Sequence, residues 1–119
     1  MGYESRIYIV EKFDTTFYED NKCYARVISM FNMCKFPALA DAMRYKPETN
    51  CYFYADDGNT RIEEDCYGKP LMVASLSAVI TRLKIIARDE DYWRAKVALD
   101  FLESVRKTNP NCKVYHFGY

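Results

Sequence analysis

The sequence predicts an α+β fold, a single domain over residues 1–119 in which an antiparallel sheet of about five strands carries helices on one face. Three observations predict it. Arg6-Ile-Tyr-Ile-Val10 alternates β-branched and aromatic residues, Cys51–Asp65 reads as a β-hairpin, and Leu76, Val79, Ile80, Leu83 and Ile86 recur at three and four. The predicted strands do not alternate regularly with the predicted helices, so a doubly wound parallel sheet is disfavoured.

Tyr3–Phe13 is the first predicted strand, with Ile7 and Ile9 inward and Arg6, Tyr8 and Lys12 outward. The polar run Asp14–Lys22 turns the chain back. Cys23–Cys34 fits two patterns, since Val27, Ile28, Phe31 and Cys34 have helical spacing while Ala25, Val27, Ser29 and Phe31 alternate. A strand pairing with the first is the expectation, because it protects that strand's edge. Lys35-Phe36-Pro37 then starts a short helix, with Pro37 in its first turn and Leu39, Ala42 and Met43 as its buried stripe.

Lys46-Pro-Glu-Thr-Asn50 breaks the chain before the hairpin. Asp57-Gly58 supplies residues suited to positive φ, as a tight type I′ turn requires. A two-residue loop there sets Tyr54 opposite Arg61, Phe53 opposite Ile62 and Tyr52 opposite Glu63. Phe53 and Ile62 then share an oily face against helices, while Tyr52, Tyr54, Arg61 and Glu63 share a face toward solvent or a partner. A slip by one residue would invert every side chain.

Cys66-Tyr-Gly-Lys-Pro70 is a second turn. Ser75 can cap a helix running to Asp89. Asp91–Lys107 is predicted as another, with Trp93, Val97, Phe101, Leu102 and Val105 on one side and Asp89, Glu90 and Asp91 favouring its positive N-terminal end. Asn109-Pro-Asn111 ends that helix, and Lys113–Phe117 is a closing strand.

Formal charge sums to zero but is unevenly spread. Residues 1–47 carry seven bases and six acids, residues 48–74 two bases and six acids, and residues 75–119 eight bases and five acids. Such polarisation bears on encounter with charged partners rather than on fold. No apolar run approaches the roughly 18 residues needed to cross a bilayer. The start Met1-Gly-Tyr-Glu-Ser-Arg6 has no signal-peptide pattern. Five cysteines, Cys23, Cys34, Cys51, Cys66 and Cys112, show no C-x-x-C and no metal-finger spacing, and read as buried thiols of a cytoplasmic protein.

Candidate chemistry is sparse. Asp56, Asp57, Glu63, Glu64 and Asp65 offer hard oxygen ligands, yet strand alternation splits Glu63 from Glu64 and the spacing is not that of a calcium loop, so no metal site is expected. His116 stands between Tyr115 and Phe117 in a predicted strand, without a nucleophile motif, and reads as structural. With four glycines no phosphate-cradling loop can be assembled. No catalytic residue and no cofactor are therefore expected. Eleven tyrosines are the more unusual feature, because Tyr and Arg together favour recognition surfaces. The expected partner-binding set is Tyr52, Tyr54, Asp56, Asp57, Arg61, Glu63 and Glu64, with Tyr8 and Arg6 on the first strand.

The segments Tyr3-Glu-Ser-Arg-Ile-Tyr-Ile-Val-Glu-Lys12, Met30-Phe-Asn-Met-Cys-Lys35, Tyr52-Phe-Tyr-Ala-Asp-Asp-Gly-Asn-Thr-Arg61 and Tyr67-Gly-Lys-Pro-Leu71 resemble small uncharacterised phage and prophage proteins of Gram-positive bacteria. The similarity spans most of the chain and carries no catalytic residue. It implies a cytoplasmic protein that binds and disables a host machine, an anti-CRISPR protein on a CRISPR-Cas nuclease foremost. Carboxylates of the acidic hairpin could imitate phosphates in a basic groove. Two alternatives remain: a binder or sponge for a nucleotide signal, stacking a base on tyrosine with Arg6 or Arg61 at the phosphate, and a direct nucleic-acid binder, which the acidic hairpin disfavours.

Overall fold

A computed structural model describes residues 5–13, 23–33, 46–48, 51–55, 57–89 and 93–118. Its strands are β1 (Ser5–Phe13), β2 (Cys23–Asn32), β3 (Lys46–Glu48), β4 (Cys51–Tyr54), β5 (Arg61–Ile62), β6 (Leu71–Ser75) and β7 (Lys113–Gly118), and its helices are α1 (Leu76–Asp89) and α2 (Trp93–Thr108). The predicted helix bearing Leu39, Ala42 and Met43, and the reversal at residues 14–22, lie outside the described residues.

The sheet order is β3-β6-β7-β1-β2-β4-β5. The fold is α+β as expected, with more strands than five and a mixed rather than antiparallel sheet. The parallel pair is β2 with β4, matched as Cys23↔Cys51 and Tyr24↔Tyr52; every other pairing among the described residues is antiparallel. Two of the additional strands were not legible as such. Lys46-Pro-Glu48, expected to break the chain, lies along β6 at the outer end of the strand order, where an edge strand tolerates proline. Leu71–Ser75 joins β7 directly before Ser75 opens α1.

β1 and β2 pair as foreseen, with an irregularity that changes how β2 is read. Ile9 faces Ser29 but Val10 faces Val27, so Ile28 is an extra residue and the alternation shifts there. Phe31 therefore packs on the helix-covered core, whereas Ala25 and Val27 join the opposite one. Simple alternation had placed all three on one face.

Two apolar clusters hold the sheet from its two sides. The first joins Ile7 and Ile9 of β1 with Leu76, Val79, Ile80, Leu83 and Ile86 of α1, as the helical spacing predicts, and with Ala95, Ala98 and Leu102 of α2. Ser75 caps α1, its Oγ accepting from the Ala78 N–H at 3.2 Å. On α2 the expected stripe holds at Phe101, Leu102 and Val105 but not at its first two positions: Trp93 is 62% and Val97 49% exposed. Small Ala95 and Ala98 face the core, and at about 100° per residue Trp93 and Val97 then lie on the far side. Asp89 belongs to the last turn of α1, where Arg88 pairs with it at 2.8 Å, rather than to the start of α2.

The second cluster lies on the other face of the sheet. Val10, Ala25, Cys51, Phe53, Leu71, Tyr115 and Phe117 are buried in it, with Tyr8, Val27, Ile62 and Val73 packed against them. The sheet curls to close this core. After β5 the chain returns to the end of β7, where the Cys66 N–H donates to the Gly118 carbonyl at 3.1 Å, and Glu64 bridges to Pro70. Phe53 and Ile62 thus pack inside the curl, not beneath the helices as the sequence suggested. Tyr8, expected outward, rests on Phe53 with ring centroids 4.7 Å apart.

Candidate recognition surface on the hairpin

Pairing and alternation assemble the candidate site from three strands. Tyr24 of β2 and Tyr52 of β4 are parallel partners and share a face; Tyr54 follows two residues on; Arg61 of β5 pairs with Tyr54. The three tyrosine rings form a close triangle, with centroids 5.8 Å apart for Tyr24–Tyr52 and 5.5 Å for both Tyr24–Tyr54 and Tyr52–Tyr54. The Arg61 guanidinium carbon lies 3.8 Å from the Tyr52 ring centroid, a cation–π contact. Burial pushes the Tyr52 phenol up; Arg61 opposes that shift, and Tyr54 adds to it on balance.

Exposure divides the cluster. Tyr52 is 1% exposed, so it is the floor of the site and not a contact residue, against the expectation that it faced a partner. Tyr24, Tyr54 and Arg61 are half-buried and form the accessible rim.

The predicted register holds for Phe53↔Ile62 and Tyr54↔Arg61, but the turn is not a two-residue type I′ loop. The Ala55 N–H donates to the Thr60 carbonyl at 2.9 Å, and the Gly58 N–H donates to the Ala55 carbonyl at 2.9 Å. The reversal therefore closes one pair earlier, between Ala55 and Thr60. Adding one residue to each side of a loop leaves every pair unchanged, which is why the register survives the error in turn type. Gly58 supplies the positive φ, at 74°.

Asp57 orders the tip. Its Oδ1 accepts from the Asn59 and Thr60 N–H groups at 2.8 and 2.9 Å, and its Oδ2 accepts from the Thr60 hydroxyl at 2.6 Å. The Thr60 hydroxyl, followed by the two backbone donors, holds the Asp57 carboxyl down to about 2. A fixed negative charge therefore stands at the exposed tip. Asp56 lies outside the described residues. Asp65 is committed to the second turn, accepting from the Tyr67 and Lys69 N–H groups at 2.8 and 3.0 Å.

The other predicted contact residues are dispersed. Tyr8 belongs to the cluster inside the curl, on the far face of the sheet from Tyr24 and Tyr54, and Arg6, two residues before it in β1, is half-buried. Glu63 is half-buried and Glu64 exposed. Tyr24 was missed; only its register against Tyr52 brings it into the set, and a two-pair parallel contact leaves no local mark in the sequence.

His116 packs its Nε2 2.9 Å from the Ser5 hydroxyl, and both residues are buried. A serine and histidine at hydrogen-bond distance can form a nucleophile and base only where substrate reaches them, and these are buried side chains of β1 and β7. Among the described residues no three His, Cys, Asp or Glu groups are placed to hold a metal ion, and no helix is long and apolar enough to cross a membrane. Cys51 and Cys112 are buried thiols as expected, whereas Cys66 is exposed. No known protein family, curated protein or solved structure matches the chain.

Proposed function

We propose that the chain is a non-enzymatic interaction protein that meets another protein through Tyr24, Tyr54 and Arg61, with the Asp57 tip as an electrostatic guide. The observation that carries this reading is the seating of Arg61 on buried Tyr52, which orders the rim before any partner arrives. Pre-ordered aromatic and guanidinium groups lose little entropy on binding. The acidic segment 48–74 favours a basic partner surface.

The resemblance to small phage proteins supplies the partner class: a host defence effector in the bacterial cytoplasm, a CRISPR-Cas nuclease first, disabled by occupation of its nucleic-acid channel. The nucleotide-sponge alternative would require a base to displace Arg61 from the Tyr52 ring.

The test is a pull-down from the bacterial host, comparing wild type with a Tyr54→Ala, Arg61→Ala, Asp57→Lys triple variant shown to be folded by circular dichroism. Loss of a partner recovered by wild type supports the reading. Equal recovery of every partner by both forms overturns it, and a nucleotide found by mass spectrometry in the purified protein would favour the sponge.

A further inference from the structure

We propose that the open edge of β2 joins two copies of this chain, β2 pairing antiparallel with β2 of the second copy about a twofold axis beside Met30. On one side β2 is matched to β1 from Tyr24 to Asn32. On the other side β4 meets it at Cys23 and Tyr24 only. Among the described residues no strand covers that second side from Ala25 to Asn32.

Two hydrogen bonds fix which backbone groups point out of the edge. The Met33 N–H donates to the Ser5 carbonyl at 2.7 Å, so Met33 turns its amide toward β1. Antiparallel pairs alternate between bonded and unbonded, so Phe31 and Ser29 also turn toward β1 while Met30 and Asn32 turn away from it. The second bond agrees, since the outward Asn32 carbonyl accepts from Nη1 of Arg94 on α2 at 2.8 Å. Arg94 closes the edge at that end, and the extra residue Ile28 bends it at the other. Between these stops Met30 presents one N–H and one C=O, the donor and acceptor that an added strand needs.

Edge strands that stay single carry lysine, proline or an inward-pointing charge. The only charge in β2 is Arg26, and Val27 to Asn32 hold none. Met30 and Ile28 are each 43% exposed, so an added strand buries apolar side chains as well as backbone. The occupant that suits this edge is its own copy. With Met30 opposite Met30, each amide donates to the other's carbonyl, and Ser29 faces Phe31 across the axis. The two Arg26 side chains then stand at opposite ends of the pairing, so no like charges meet, and the zero formal charge of the chain leaves no net repulsion between copies. A twofold contact of this kind uses the same patch on both partners and closes after two.

This self-pairing does not rest on the proposed function of the hairpin. The experiment reads association of the chain with itself alone.

The full chain is examined by sedimentation velocity from micromolar to millimolar concentration, and exchange of its backbone amides is followed by NMR over the same range. The expected result is a monomer–dimer equilibrium in which the Met30 amide exchanges more slowly as the dimer fills, while the Phe31 amide, already turned to β1, keeps its rate. Met30→Lys sets two like charges against each other at the axis and should weaken the dimer about a hundredfold. Tyr67→Lys, the same kind of change at a residue 54% exposed in the second turn, should leave it intact. A chain that stays monomeric at millimolar concentration overturns the inference and leaves the edge to a strand of another protein. A dimer that forms with Met30 exchange unchanged, or that Met30→Lys does not weaken, overturns it as well.

Discussion

Tyr8 of β1 and Phe53 of β4 stack at 4.7 Å between ring centroids although a whole strand, β2, separates their strands in the sheet. The contact exists because the sheet curls, and it seats the hairpin on the body of the fold. Phe53 also meets Phe117 and Tyr115, each at 6.5 Å, so one ring bridges the hairpin to β1 and β7. Phe53→Ala should therefore destabilise the protein by about 3–5 kcal/mol. Val97→Ala, at a position the sequence pattern had placed in the core, should change stability by no more than about 0.5 kcal/mol. Urea unfolding of both variants checks the pair, and equal losses would contradict the assignment of the two cores.

Gly58 adopts φ 74°, and a Cβ built there meets nothing within 4 Å. Any loss on substitution must then come from the backbone alone. Gly58→Ala is expected to cost about 1–2 kcal/mol, the usual penalty of the left-handed region for a residue with a side chain. Gly58→Asn should cost less, because a short polar side chain tolerates that region. Chemical denaturation of the two variants distinguishes this from steric crowding, which would penalise Asn more than Ala.

The Asp57 carboxyl gives a pH prediction with a definite sign. Its folded value of about 2 lies below the ordinary 3.8, so folding favours the ionised form. The stabilisation is complete above pH 3.8 and is lost as pH falls toward 2. Asp57→Ala should flatten this part of the stability profile, lowering Tm near neutral pH and converging on wild type as pH falls toward 2. Following the Asp57 carboxyl carbon by NMR should place its titration near 2; titration near the ordinary value would mean the three hydrogen bonds at the tip are not kept in solution.

How far the sequence could be read depended on whether the pattern was local. The α1 stripe and the alternation of Ile7 and Ile9 are set by neighbours a few residues away, and both are where the pattern puts them. The bulge at Ile28 is a different case. One extra residue makes β2 look partly helical, since the inward positions on its two sides no longer differ by even numbers. Trp93 was misplaced because size was taken for burial, whereas close packing of α2 requires Ala95 and Ala98 at the contact. For the site, loop parity was enough to pair Tyr54 with Arg61. The parallel pairing of β2 with β4 that sets Tyr24 against Tyr52 is a long-range property, and no short window of sequence contains it.

Ser5 and His116 offer a test of the buried polar pair. They come from the two ends of the chain and meet through the β1–β7 ladder, in which Ile7 faces His116 and Ser5 faces Gly118. Their contact is 2.9 Å, and both side chains are buried. Ser5→Ala removes the hydroxyl and should cost about 0.5–1.5 kcal/mol, the net worth of one intramolecular hydrogen bond. His116→Phe removes the ring nitrogens at similar volume. If the hydrogen bond is the source of the loss, the double variant should be less destabilised than the sum of the singles, by about 0.5–3 kcal/mol in a thermodynamic cycle. Strict additivity would assign the cost to packing around each residue. Because both side chains are buried in β1 and β7, away from the β4–β5 hairpin, the same cycle should leave partner binding through Tyr54 and Arg61 unchanged wherever the variants remain folded.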